Sequence, residues 1–493
     1  MNAQMSHRRG IVILALALAF MSPSDVQAKG QRSLTSAERF VLDHVKAGEQ
    51  ADLDHSKLSD HTLSADFVAD LITGRYKTAA LERQGVKIAH AVLSETLIVA
   101  SESVPYSVWF KSCKFEGGVD FEYTRFGRDL SFEGSTFGRP GDAAAKASAT
   151  NALFIGMKVD GPVNFNQSWF YVPLNLTYAE AGSEFLFDDV HYESPENADF
   201  ESLKAKEPVF FRRDHFMGKL VLADAQLFEL FIENPLPPGT IDLDLTQARI
   251  EHEVSIQNTT LSSFRAPFLF DAGEATFDQV VPVGTVTLIH SHFQNLTIKG
   301  FDSWLKVGSL NLEGLSFEGI DIPDAKVAPQ ASRMLDLIQS DRCPYSPQPY
   351  MELEKFLRTH GNPQKADEVY IAMHRGERKQ LSWWKQPFDV LLDVLVGYGR
   401  KPWRAVVGVL ILAVAGAFAF TRGSMEPEDK STDTWYNPFW YSLDLLSPID
   451  LGIAKKWRAS KSHNRLRDYA QFHRFLGWIL IPLVVAAITG LIK

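Results

Sequence analysis

The sequence predicts a mainly β fold, a β-solenoid with helical caps, followed by two C-terminal transmembrane helices. Three observations carry this reading. Apolar residues recur on an 11-residue ruler through the middle of the chain, helix start and stop signals flank that stretch, and two uninterrupted apolar runs lie near the C-terminus. At 493 residues, 45% of them hydrophobic, the chain holds two or three domains with sizeable cores and is too apolar for a disordered protein. A formal charge of −10, with no basic face outside the C-terminal region, argues against a nucleic-acid partner.

The ruler is clearest where "VWFKSCKFEGG", "VDFEYTRFGRD" and "LSFEGSTFGRP" align without a gap. Phe110, Phe121 and Phe132 share one phase, and Phe115, Phe126 and Phe137 share another. The same step reaches back to Val99 and Ile88, and to Val104 and Leu93. Forward, it skips the Ala-rich "GDAAAKASAT" and lands on Phe154, Phe165, Leu176 and Phe187, with Val159, Phe170, Ala181 and Tyr192 in the partner phase. The register then slips and resumes at Phe211 and Phe216, at Leu222 and Leu227, at Leu245 and Ile250, at Ile256 and Leu261, and finally at Phe277, Leu288 and Phe293. Such a period arises because a short coil buries only its inward residues, and stacked coils share one continuous core.

The apolar positions fall alternately five and six residues apart, and the residue two before one of them is often small or β-branched, as at Cys113, Thr124, Ser135, Val163 and Ser168. Over roughly 88–298 this resembles the pentapeptide repeat, which implies a right-handed quadrilateral β-helix; the added sixth residue departs from the strict repeat.

Residues 1–28 read as an export signal: basic His7, Arg8 and Arg9, the apolar "GIVILALALAFM", and small residues up to Ala28. That apolar stretch is shorter than the ~20 residues of a spanning helix, so the mature chain is expected to start at Lys29. Two cysteines, Cys113 and Cys343, exclude a disulfide framework and read as free thiols. Residues 29–85 form a helical N-terminal cap, with Ser36 as N-cap, Phe40, Val41 and Val45 at helical spacing and Gly48 as the stop, then a second helix in "SADFVADLITG". The solenoid occupies 86–300, and 301–348 is its end and a linker. A helical hairpin over 349–380 pairs the stripe Met351, Leu353, Phe356 and Leu357 with Ala366, Val369, Tyr370 and Met373 across the "HGNP" break.

Residues 381–402 read as a helix lying in the headgroup plane, with Asp389 and Asp393 four apart and apolar residues around them. Transmembrane helices follow at 403–421 and 475–492, with Trp403 and Trp478 at interfacial positions. The 422–474 loop between them is basic, so it is expected in the cytoplasm and the solenoid outside, at the inner (cytoplasmic) membrane of a bacterium. "VGYG" at Val396 to Gly399 has the letters of a potassium filter, but it precedes the first span and is followed by Arg400, Lys401 and Arg404; it reads as a turn into that span.

Together the helical start, "GVKIAHAVLSETL", "KSCKFEGG", "PYMELEKFLRTHGNPQKADEVY", "GYGRKPWRA" and "NPFWYSLDLLSPIDLG" resemble a bacterial family of pentapeptide-repeat-like membrane proteins of unestablished function. Some members of that family are labelled membrane-associated oxidoreductases, and the resemblance implies such an activity without identifying it.

The residues themselves point to no reaction. No Gly-x-Gly-x-x-Gly opens a nucleotide fold, and two distant cysteines supply neither haem attachment nor an iron-sulfur site. His290 and His292 alternate as two ligands on one strand face would, without a third, and read as solvated histidines; Asp242 and Asp244 read as outward solenoid carboxylates. No catalytic, cofactor or metal residue is assigned. The candidate partner contacts are Trp440, Tyr441, Asp444, Pro448 and Asp450, in the most specific segment without an obvious structural task. The expected function is a membrane-anchored solenoid that binds or scaffolds a protein through its surface or its membrane loop, with the lipid bilayer as second partner. A two-span channel or transporter-like assembly regulated by the solenoid, and a membrane-associated oxidoreductase, are the alternatives.

Overall fold

The computed structural model describes residues 33–76, 79–142, 150–233, 240–323, 330–340, 342–428, 435–447, 452–460 and 464–489; the expected export signal lies outside them. Parallel strands stack in ten steps from Val86–Ala89 to Ser316–Asp321. Val86 pairs with Val108, Val108 with Leu130, and Val163 with Phe185, so one coil is 22 residues, two units of the 11-residue ruler. A single coil, Leu130 to Val163, is 33 residues long because it carries the Ala-rich stretch, residues 143–149 of which lie outside the described residues.

The first six coils have four faces. Their strands begin at Val86–Ala89, Val92–Leu93, Leu97–Ile98 and Ser103–Val104, and each pairs with its counterpart one coil on. Inward positions are buried Phe, Val and Leu, and their rings run in columns along the axis. Phe110, Phe132, Phe165, Phe187 and Phe211 stack with centroids 5.5, 5.4, 5.3 and 4.9 Å apart. Twice per coil the chain turns through a residue with positive φ, as at His90, Ser101, Ser112 and Tyr123, closed by a bond such as Thr124 N–H to Phe121 O. The small residues after these turns are buried. Thr124 Oγ1 and Ser168 Oγ donate to the carbonyls of Val99 and Phe132 in the preceding coil at 2.7 and 2.9 Å, satisfying polar groups inside the stack.

From Gln226 the cross-section changes. The strand Gln226–Glu233 pairs at its start with Lys204–Ala205 and farther on with Val209–Arg212, so two faces merge into one bent strand. The opposite pair merges in Thr240–Asp244, and register shifts at Leu227/Glu229, Ile241/Asp242, Leu261/Ser263 and Asp271/Glu274 mark the former corners as bulges.

Both ends are covered, as exposed strand edges require. Helix α1 (Ser36–Ala47) starts one residue earlier than the sequence reading: Thr35, not Ser36, is the N-cap, because Glu38 sits three positions on and closes a capping box with it. Helices α2 (Ala65–Ile72) and α3 (Ala79–Gln84) follow, and Ala51–Asp52 pairs with the first coil strand. Tyr106 Oη donates to Ile72 O at 2.6 Å, fixing α2 to the stack. At the other end α4 (Gln330–Ile338) and the hairpin of α5 (Pro347–Thr359) and α6 (Pro363–Arg378) close the last coil, with Phe356 against Phe317 at 5.9 Å. Leu353 and Leu357 are buried as expected, but Met351 points to solvent.

Helix α7 (Gln386–Val396) leads to α8 (Trp403–Ala419), α9 (Pro438–Leu446) and α10 (Asn464–Ile488). The two expected spans become one candidate: among the described residues only Arg465–Ala486 in α10 is long and apolar enough to cross a membrane. Helix α8 has 17 residues, about 25 Å against a hydrocarbon core of ~30 Å. It ends there because Phe420 leaves the helix and packs into the α9–α10 contact, against Tyr441 at 5.2 Å and Tyr469 at 5.4 Å.

Candidate functional site

The densest polar cluster joins the hairpin to α7 and the turn after it. Arg375 and Arg378, one turn apart on α6, face Asp389 and Asp393, one turn apart on α7. Asp393 takes both guanidinium bonds of Arg375, at 2.8 and 2.9 Å, and a third from Arg378 at 2.7 Å. Arg378 also bonds Asp389 and donates to Tyr398 Oη at 2.7 Å, while Tyr398 donates to Asp389 Oδ2 at 2.6 Å. Burial alone would push the Asp393 carboxyl up, but the two arginines outweigh it and hold the group below its ordinary value. These aspartates are therefore engaged by arginines of α6 in the same chain.

Tyr398 reaches this position because the chain turns sharply. Gly397, Tyr398 and Gly399 have φ of 53°, 52° and 84°, three successive residues in a region where side chains are strained. Arg400 then lies over the Tyr370 ring at 4.2 Å and donates to Glu354 at 2.9 Å, tying the turn to α5. The Gly-Tyr-Gly letters thus form the corner between α7 and α8, with the tyrosine hydroxyl held between an arginine and an aspartate. Sequence reasoning missed Arg375, Arg378 and Tyr398; two oppositely charged pairs at helical spacing on successive helices were the available signal.

The expected partner-contact segment is largely internal. Asn437 caps α9 by accepting from Phe439 N–H at 2.9 Å. Tyr441 is buried against Phe420, and Asp444 Oδ2 accepts from Ile453 and Ala454 N–H at 2.8 and 2.6 Å, holding the following loop. Trp440 alone of the described candidates presents a large exposed ring; Pro448 and Asp450 lie outside the described residues. Between α8, α9 and α10, Ser442 Oγ lies 2.8 Å from His473 Nε2, both fully buried. Gly416 lets them approach: a Cβ there would stand 2.0 Å from Ser442 Oγ.

The other singled-out groups are placed as follows. His290 is a corner residue and His292 begins the next strand, each stacked on a phenylalanine (Phe268 at 5.3 Å, Phe270 at 5.4 Å), so they do not share a strand face. Asp244 keeps the outward side of its strand, between inward Leu243 and Leu245, but is covered there by Lys219, which bonds it at 2.6 Å, and by Arg265 and Thr246. Cys113 and Cys343 are free thiols, and burial pushes the Cys113 thiol up to about 12. Among the described residues no group of three His, Cys, Asp or Glu is placed to hold a metal ion.

Residues 105–142 match the profile of a family described as pentapeptide repeats (9 copies). Comparison with curated proteins and with solved structures finds no match.

Proposed function

We propose that the protein is a membrane-anchored solenoid that presents a long surface for binding or scaffolding partner proteins, and that it is not an enzyme. The observation that carries this is the stack itself: ten steps of parallel pairing with the outward side chains of successive coils in register, similar over residues 105–142 to pentapeptide repeats. A regular, rigid face of this kind supports extended recognition. Pull-down by the full-length, detergent-solubilised protein after in-cell cross-linking tests it; no protein enriched above an unrelated membrane protein counts against it.

The bilayer contact is supported by apolar surface left outside the fold. Val406, Val407, Leu410, Ile411, Val414 and Phe418 on α8, and Phe472, Phe475, Trp478 and Val485 on α10, are exposed. Helix α7 adds Phe388, Leu391 and Val394 on the side away from its arginine-bound aspartates, as an in-plane helix would. In this reading α8, at the lower limit of spanning length, crosses the bilayer together with α10, so the solenoid lies outside a bacterial inner membrane and the 422–474 loop in the cytoplasm. Extraction by alkaline carbonate would remove the anchor from this reading. Cysteines placed at Ser56 and Ser431, in a chain lacking Cys113 and Cys343, should be labelled by an impermeant thiol reagent at Ser56 only; the reverse pattern inverts the orientation.

A further inference from the structure

Between the end of α6 and the start of α8 the charge of the protein inverts. The whole chain carries a formal −10, yet residues 375–404 hold seven lysines and arginines against three acids. The clamp takes both acids of α7, since Arg375 and Arg378 bind Asp389 and Asp393. Arg400 is taken by Glu354 at 2.9 Å. Lys379, Lys385, Lys401 and Arg404 remain, and among the described residues none of the four has an ion pair. Lys385 reaches only the Trp384 ring, at 5.1 Å, and Arg404 only the backbone carbonyl of Asp393, at 3.5 Å. The third acid, Glu377, faces His374 at 3.0 Å, so the balance left over is four cations to one carboxylate.

These cations bracket an apolar helix face. Lys379 and Lys385 precede α7, Lys401 and Arg404 follow it, and its 11 residues span about 16 Å. Because Asp389 and Asp393 are bound to α6, the opposite side of α7 is left bare, and Phe388, Leu391 and Val394, three residues apart, are exposed on it. Three indoles stand at the two ends of this strip: Trp383, 83% exposed, with Trp384 before α7, and Trp403 after it, both also exposed. Indoles and cations at the ends of an apolar strip suit the boundary between acyl chains and headgroups, where each ring has one apolar and one polar side to satisfy.

We infer that this face recognises anionic phospholipids, headgroup phosphates meeting Lys379 and Lys385 at one end of α7 and Lys401 and Arg404 at the other, while acyl chains lie along Phe388, Leu391 and Val394. A phosphatidylcholine headgroup offers the same phosphate but cancels it with its own ammonium, so the unpaired cations select lipids of net negative charge. A free phosphate would meet the cations and leave the apolar strip and the indoles in water. The inference rests on the bilayer reading and gives that contact a headgroup preference.

Microscale thermophoresis of the full-length protein in a non-ionic detergent tests it, with dioctanoyl-phosphatidylglycerol as the probe and dioctanoyl-phosphatidylcholine as its neutral counterpart. The anionic lipid should bind about tenfold tighter or more, and its binding should weaken with salt. Lys379→Gln with Lys385→Gln, and Lys401→Gln with Arg404→Gln, should each lower that affinity about tenfold while leaving the binding of the neutral lipid unchanged. None of the four side chains belongs to the clamp, so the melting temperatures should stay near that of the parent, and the salt dependence of the parent tests the site without any variant. Equal binding of the two lipids, or equal binding of the anionic lipid by parent and both variants, overturns the site. Inorganic phosphate or hexaglutamate that matches the anionic lipid in affinity also overturns it, in favour of a free anion or an acidic protein segment. A chain that resists alkaline carbonate but shows no headgroup preference keeps its anchor and loses this site, whereas extraction by carbonate removes the anchor itself.

Discussion

Phe137 and Phe170 lie ring on ring, 4.6 Å between centroids and 1° from parallel, although 33 residues separate them where Phe115 and Phe137 are 22 apart. The additional 11 residues leave the column at a corner and return to it without disturbing the register on either side. An insertion that both leaves and rejoins a stack in phase contributes little to it, since loop length changes closure entropy only slowly.

Excising residues 139–149 should therefore give a stable chain. Gly138 would join Thr150, restoring the four-residue step that leads from Phe115 to Val119 in the coil before. Its melting temperature should stay within a few degrees of the parent, a ΔΔG of about 1 kcal/mol or less. Calorimetry showing lost cooperativity would mean that the stretch is part of the core.

Phe121 is fully buried between Phe126, Phe132 and Phe154, whereas Glu122 begins the outward turn. Removing a buried phenylalanine costs about 3–5 kcal/mol, and an unpaired carboxylate in its place costs more. Phe121→Asp should abolish the folded solenoid as judged by circular dichroism and proteolysis, while Glu122→Lys should alter stability by about 0.5 kcal/mol or less. Equal damage from both would refute the inward phase.

Asp271 occupies an inward position in register with Ile250 and Phe293, and one carboxylate oxygen is buried without a partner. Burial pushes its pKa up to about 7, with Glu253 and Glu274 adding to the rise; the Gly273 N–H opposes it. Asp214, also buried, is raised by the same cause. A carboxyl whose folded pKa exceeds its unfolded value of about 3.9 contributes its stability below that value and loses it as pH rises through the folded pKa. Thermal stability should thus decline between about pH 4 and 7. Asp271→Asn should flatten part of that decline and raise the melting temperature at pH 8, and adding Asp214→Asn should flatten it further. A parent chain that gains stability over this interval would contradict the assignment.

The α6–α7 clamp predicts an ordering of variants. Asp393→Ala leaves Arg375, about half exposed, to solvent and Arg378 with Asp389 and Tyr398, and should cost about 1–3 kcal/mol, or free α7 to protease within a still-folded solenoid. Tyr398→Phe removes two bonds at the edge of the network and should cost about 1–2 kcal/mol. Gly399→Ala places a side chain at φ of 84° and should cost about 1–2 kcal/mol of backbone strain. None should alter ion conduction: the protein in planar bilayers is expected to carry no potassium-selective current. A current lost on Tyr398→Ala would return the Gly-Tyr-Gly turn to the role of a filter.

The solenoid was legible because inward positions repeat Phe, Val and Leu at fixed spacing, and even the gap in the ruler between Leu261 and Phe277 has a structural meaning, since Asp271 fills the inward place there. Several features left no such trace. The positive-φ corners are occupied by His, Ser, Tyr, Gln and Asp, so no run of glycines announces them. The merging of faces after Gln226 depends on corner length, which the apolar spacing does not report. Asp444 looked like surface charge because its partners, the amides of Ile453 and Ala454, are backbone groups of no particular residue type. The α8 length was misjudged for a related reason: Phe420 is apolar enough to continue a span, and only its packing partners stop the helix.

The coil length sets how the chain reaches this structure. Nearly every long-range backbone bond in the stack joins residues 21–24 apart, so each step closes a loop of the same size however long the solenoid grows. Folding then needs one costly nucleus, and the N-terminal helices with the first coil are the part synthesised first. Each later coil adds to a finished edge as it emerges, without waiting for residues hundreds of positions away. A chain assembled in this order reaches its last coil with every earlier one in place, and the α4–α6 helices then close the growing end.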